Sequence, residues 1–207
     1  LRQIAFFVVP SVAGFVALGD VVAGALYQSG EFTREMTLYV WAILAAASAG
    51  LLPSTLGRLY SSAFYALHDT RTPLRFAAVR VSVAIAAGAS LALYGPSLVG
   101  IAPKWGAAGI TVASGIGAWL ELALLRAALR SRLGIEERLT TVILQLWACA
   151  AVAAAAAWGA KQLVVAAHPW VVAALVLGTF AIVYVAMAAV AGIDEARTLL
   201  SRVSRSR

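Results

Sequence analysis

Asp20, Arg58 and Glu121 interrupt long apolar runs. A charge placed in hydrocarbon costs about 2.5–3.5 kcal/mol or more unless it faces protein, water or an opposite charge. Arg58 does not stand alone: Ser54, Arg58, Ser61, Tyr65 and Asp69 fall on roughly one face at helical spacing. That stripe predicts a helix face turned to an interior rather than to lipid. Arg58 lies about 13 Å from the near helix end, at 1.5 Å per residue. An arginine there suits a substrate anion or a gate, or else an internal ion pair or a lipid headgroup. Asp20 is either an intramembrane carboxylate for ion or proton coupling or a group settled at the interface. Glu121 is placed to pair with an arginine from another helix. Arg71, Arg75 and Arg80 form a basic cluster, which orients the chain against anionic headgroups or captures a phosphate-bearing lipid. Arg58, Asp69, Arg71, Arg75 and Arg80 are thus the candidates for substrate or gate contacts.

Other chemistries find no residues to carry them. The 207 residues contain no His-Glu-x-x-His, Walker A or Gly-x-Ser-x-Gly pattern. No carboxylate cluster suggests a metal. The single cysteine, Cys149, lies in an apolar run as a small hydrophobe. His68 and His168 are predicted on opposite sides of a membrane and cannot share an ion. No enzyme, cofactor or metal is expected. A net charge of +7 raises nucleic acid as a partner, but the basic residues are scattered over several inter-helix turns, and topology accounts for them better.

The elements that must position these side chains are membrane helices. The chain is 62% hydrophobic and 12% charged, with mean hydropathy +0.90, against about 45–50% apolar and 25% charged for soluble domains. Leu1-Arg2-Gln3 leads straight into a span too long for a signal-peptide core. Six apolar spans of about the 20 residues needed to cross hydrocarbon are predicted at Ile4–Leu26, Leu38–Leu67, Phe76–Leu98, Gly106–Leu129, Val142–Val165 and Trp170–Ile193. The second is over-long, implying tilt or an extension beyond the membrane. Pro73 is expected to stop it by pushing Thr72 out of helical geometry. Thirteen Lys and Arg residues fall on the side holding both termini and three on the other, making sixteen. The positive-inside rule puts both ends in the cytoplasm. Gly109, Ala113, Gly117 and Glu121 form a small-residue ridge for close helix packing, ending in the carboxylate. Residues 130–139 read as an amphipathic segment along the inner interface, and the tail as a basic cytoplasmic end.

Two stretches carry a family resemblance. Val9-Pro-Ser-Val-Ala-Gly-Phe-Val-Ala-Leu-Gly-Asp20, followed by Leu26-Tyr-Gln-Ser-Gly-Glu-Phe-Thr33, resembles the ninth-helix region of the MurJ/MviN family. Ala63-Phe-Tyr-Ala-Leu-His-Asp-Thr-Arg-Thr-Pro73 is similar to that family's signature after its tenth helix, carried by Phe64, Tyr65, Asp69, Thr70, Thr72 and Pro73. These are lipid II flippases of the multidrug/oligosaccharidyl-lipid/polysaccharide exporter superfamily. The resemblance implies the C-terminal part of an all-α, fourteen-helix transporter in the bacterial cytoplasmic membrane. Residues 1–133 would supply four helices of the C-terminal lobe, 134–141 a cytoplasmic linker, 142–193 an appended hairpin with a groove for the polyprenyl tail, and 194–207 the tail. It implies lipid II and membrane lipids as partners, together with the N-terminal helices of the same protein or a separate chain. The family's substrate cavity is lined mainly by helices not present in these residues. Two other readings stand beside it. One is a sister exporter, for a polysaccharide precursor or in cation-coupled drug antiport. The other is a non-transporting membrane scaffold.

Overall fold

A computed structural model describes residues 2–27, 33–100, 102–133, 139–164 and 168–198. Every regular element among them is helical: α1 (Arg2–Tyr27), α2 (Arg34–Ser48), α3 (Leu51–Ala66), α4 (Arg71–Leu93), the short α5 (Gly95–Val99), a 3-10 turn (Pro103–Trp105), α6 (Gly106–Leu133), α7 (Leu139–Leu163) and α8 (Pro169–Val190). Six stretches are long and apolar enough to cross a membrane: α1, Glu35–Ala66, α4, α6, Thr141–Leu163 and α8. In these stretches every backbone polar group must find a partner inside the helix or from a neighbouring side chain. The predicted linker falls largely on residues outside those described, as does the tail beyond residue 198. Residues 130–133, expected along the interface, instead continue α6.

Proline decides where the apolar runs break. The over-long second span is two helices, α2 and α3, parted by a turn at Ala49–Gly50. A proline ring clashes with the carbonyl four residues earlier and leaves it without a partner; for Pro53 that carbonyl belongs to Ala49. Pro96 ends α4 in the same way, so the third span divides into α4 and α5. Pro10, by contrast, lies inside α1, which continues as one helix to Tyr27.

The helices group into two compact units, Ala42–Glu137 and Arg2–Trp41 with Arg138–Arg207. In the first, α4 and α6 run antiparallel along a seam of small residues. A Cβ at Gly106 would lie 2.8 Å from the Ala92 carbonyl oxygen, and one at Gly117 2.9 Å from that of Arg80. Only glycine lets the two backbones approach so closely, and this is the packing the small-residue ridge predicts. α3 lies beside α6 and buries Leu52, Leu56, Tyr60 and Phe64.

In the second unit α1 packs against α7 and α8. Ala5, Val9, Val12 and Ala13 are buried along α1, spaced for one helix face. α7 and α8 are too apolar all round for pattern alone to show which face packs; Ala150, Ala153 and Ala157 are fully buried on α7, as are Val176 and Ala188 on α8. Beyond α8 the chain turns through Gly192, at φ 77°, and buries Ile193 and Ala196.

Candidate functional site

The signature Asp69-Thr70-Arg71-Thr72-Pro73 is built where α3 ends, α4 begins and α6 ends. α3 closes in a Schellman turn: the His68 N–H donates to the Tyr65 carbonyl at 3.0 Å and the Asp69 N–H to that of Phe64 at 2.9 Å. His68 takes the left-handed position, at φ 58°, that such turns usually give to glycine. The helix therefore stops at His68 and not through Pro73. Thr72, expected outside helical geometry, lies in the first turn of α4. Pro73 sits beside it, where a missing N–H leaves no intrahelical bond unmade.

Asp69 caps α4. Its Oδ1 accepts from the backbone N–H of Arg71 at 3.1 Å and of Thr72 at 3.0 Å, while Oδ2 accepts from the Thr72 hydroxyl at 2.7 Å. Arg132, in the last turn of α6, places Nη2 2.6 Å from the same Oδ2. Its guanidinium also lies over the Phe64 ring, 5.4 Å from the centroid, a cation–π contact. One aspartate and one arginine thus tie three helix ends together. The Thr72 hydroxyl, then its N–H, and then the charge of Arg132 hold the Asp69 carboxyl down to about 2 from an ordinary 3.8, against partial desolvation.

The basic candidates divide. Arg58, Arg71 and Arg75 are exposed. On the stripe, Arg58 and Tyr65 are exposed, Tyr65 by 55%, while Ser54, Ser61 and Asp69 are half-buried. Arg80 is drawn inward, its Nη1 donating to Oε2 of Glu121 on α6 at 3.0 Å. Glu121 is 12% exposed in its side chain, so the pair meets the demand that a charge in hydrocarbon have a partner. Thr70 is exposed and Pro73 buried. In the other unit Asp20 pairs with Lys161, near the C-terminal end of α7. Each lies toward the end of its helix, so α1 and α7 run in the same direction.

Sequence reasoning did not single out Arg132 or Lys161 as partners. Arg132 was one of many basic residues near one side, and only the fold shows that it reaches Asp69. The available signal was chemical: a carboxylate fixed at a helix start leaves an oxygen for a cation. Among the described residues no group of three His, Cys, Asp or Glu side chains could hold a metal.

A family model described as lipid II flippase MurJ matches residues 1–181. The chain is 33% identical over 153 residues to a probable lipid II flippase MurJ of Rhizobium meliloti, covering 73% of this chain and 27% of the relative. It is 28% identical over 125 residues to the corresponding protein of Vibrio cholerae, covering 60% and 22%. For that of Rhizobium tropici the identity is 28% over 132 residues, covering 64% and 23%. The chain spans about a quarter of the length of these relatives.

Proposed function

The chain belongs to the lipid II flippase MurJ family, and on that premise we propose that it forms the C-terminal part of a transporter carrying lipid-linked peptidoglycan precursor across the bacterial cytoplasmic membrane. The observation that carries this reading is the match over residues 1–181, which includes the Asp69 cap and its neighbours. The activity is transport rather than bond-making or bond-breaking. α1 to α6 correspond to helices nine to twelve of the whole transporter, and α7 with α8 to its appended pair. The remaining helices come from the same protein or from a separate N-terminal chain. Both ends of these residues lie in the cytoplasm, supported by the thirteen-to-three partition of Lys and Arg.

Transport proceeds by alternating access: two lobes rock about the precursor's headgroup while its tail stays in lipid. The exposed Arg58, Arg71 and Arg75 are suited to a diphosphate at the inner face, since arginine forks onto phosphate oxygens. Arg80, already paired with Glu121, has less of its charge to offer. Asp69 and Arg132 position this rim by fixing the helix ends that carry it.

The test is complementation of a strain depleted of its own flippase by the full-length gene. Asp69→Ala and Arg58→Ala variants that insert normally but leave precursor on the inner leaflet support the reading. Full outer-leaflet delivery by both variants would show that these residues serve packing alone. Unchanged delivery after complete depletion of the protein itself would overturn the function.

A further inference from the structure

Pro10 and Pro53 lie inside long apolar stretches, and each releases the carbonyl four residues before it. Pro10 releases that of Phe6, and the Tyr184 hydroxyl on α8 donates to it at 2.8 Å. Pro53 releases that of Ala49, and the Trp119 indole N–H on α6 donates to it at 3.1 Å. The chemistry is the same, but the surroundings differ. Phe6 and Tyr184 are 2% and 3% exposed, and α1 is continuous through Pro10. At Pro53 the helix is broken, Ala49 is exposed, and Trp119 is 49% exposed. At the break Gly50 rests directly on Gly115: a Cβ on Gly50 would stand 3.3 Å from the Gly115 Cα. Two bare backbones meet there, between the buried side chains of Ser48, Leu52 and Pro53.

We propose that the Ala49–Gly50 joint is a hinge on which α2 and α3 change their mutual angle, with the Trp119 indole as its releasable catch. The bond at Phe6 is buried between α1 and α8. The bond at Ala49 joins two exposed residues, so the indole can swing away without displacing buried side chains. α6 would then hold α3 at two points, at the hinge through Trp119 and at the far end through Arg132. This inference concerns motion in the helices themselves and does not rest on the substrate proposed above.

The test is electron–electron double resonance on the full-length gene product in phosphatidylethanolamine–phosphatidylglycerol nanodiscs, with Cys149 replaced by serine. Spin labels at Ile43 and Ser62 report across the joint, separated by about 28 Å if the helix were straight. Labels at Gln3 and Ala17 report across Pro10. The 43–62 pair should give a major and a minor distance. Trp119→Phe, which keeps the ring and removes the donor, should raise the minor population about twofold, the weight of one interhelical hydrogen bond in a membrane. Pro53→Ala should collapse both into one longer distance. The 3–17 distribution should stay single throughout. Coincidence of the Trp119→Phe and wild-type 43–62 distributions would overturn the catch. Coincidence of the Pro53→Ala and wild-type distributions would overturn the hinge, and that comparison stands even where Trp119→Phe fails to fold.

Discussion

The surroundings of Pro10 and Pro53 show how the same local defect is absorbed in two ways. At Pro10 the released carbonyl is met by a buried tyrosine within a dense group of rings; Phe6 and Tyr184 lie 5.5 Å apart, and Tyr184 stacks on Phe180 at 6.4 Å. The bond itself is buried between α1 and α8, and α1 stays continuous. At Pro53 the donor is a half-exposed indole and the contact beneath the joint is glycine on glycine. The bond lies on an exposed side of the joint although Pro53 itself is buried, and the helix parts there. A proline in a membrane helix thus frees a carbonyl wherever it occurs, while the surroundings of that carbonyl decide whether the helix continues or parts.

Two of the following four changes test this contrast, and two set beside it the turn between α3 and α4. Tyr184→Phe should destabilise most, by about 2 kcal/mol, because it strands a buried carbonyl with no route to another donor; thermal unfolding in detergent measures it, and a loss no larger than that of Trp119→Phe would break the comparison. His68→Gly should act in the opposite direction, raising stability by about 1 kcal/mol, because glycine takes φ 58° without a Cβ penalty. Trp119→Phe should cost only about 0.5 kcal/mol in the same assay, as expected for a polar contact that other groups can replace. The smallest effect should appear only in acid. Asp69 is held down to about 2 from 3.8, so its contribution is complete above pH 3.8 and is lost as pH falls toward about 2. Asp69→Asn should remove that part of the acid dependence while keeping an oxygen to cap α4.

Much of the fold was legible because hydrophobicity in a membrane protein is nearly one-dimensional. Run length marks each crossing, and Lys and Arg mark each end. The glycine ridge of α6 was readable for the same reason: small residues at every fourth position can only serve close approach. Misreadings arose where prolines interact with a specific carbonyl. Pro53 and Pro96 lie in view, yet Pro10 shows that a proline alone does not decide whether a helix breaks. Pro73 was read as a helix stop, whereas the positive φ of His68 ends α3 and leaves Pro73 free to start α4.

The candidate site divides along the same line. Asp69, Thr72 and the start of α4 are a local motif whose bonds span three residues, so sequence by itself determined the cap. The number of crossings and the alternation of helix direction were equally local, because each follows from one stretch of residues and its flanking charges. Only tertiary structure decided that Arg132 reaches Asp69, that Arg80 takes up Glu121, that Lys161 meets Asp20, and that α1 packs with α7 and α8. These partners lie 41 to 141 residues apart where the spacing is given, and every apolar helix presents lipid-compatible surface on all sides. Nothing in such a sequence marks which face meets which. Close packing of small residues and the need to pair each intramembrane charge make that choice.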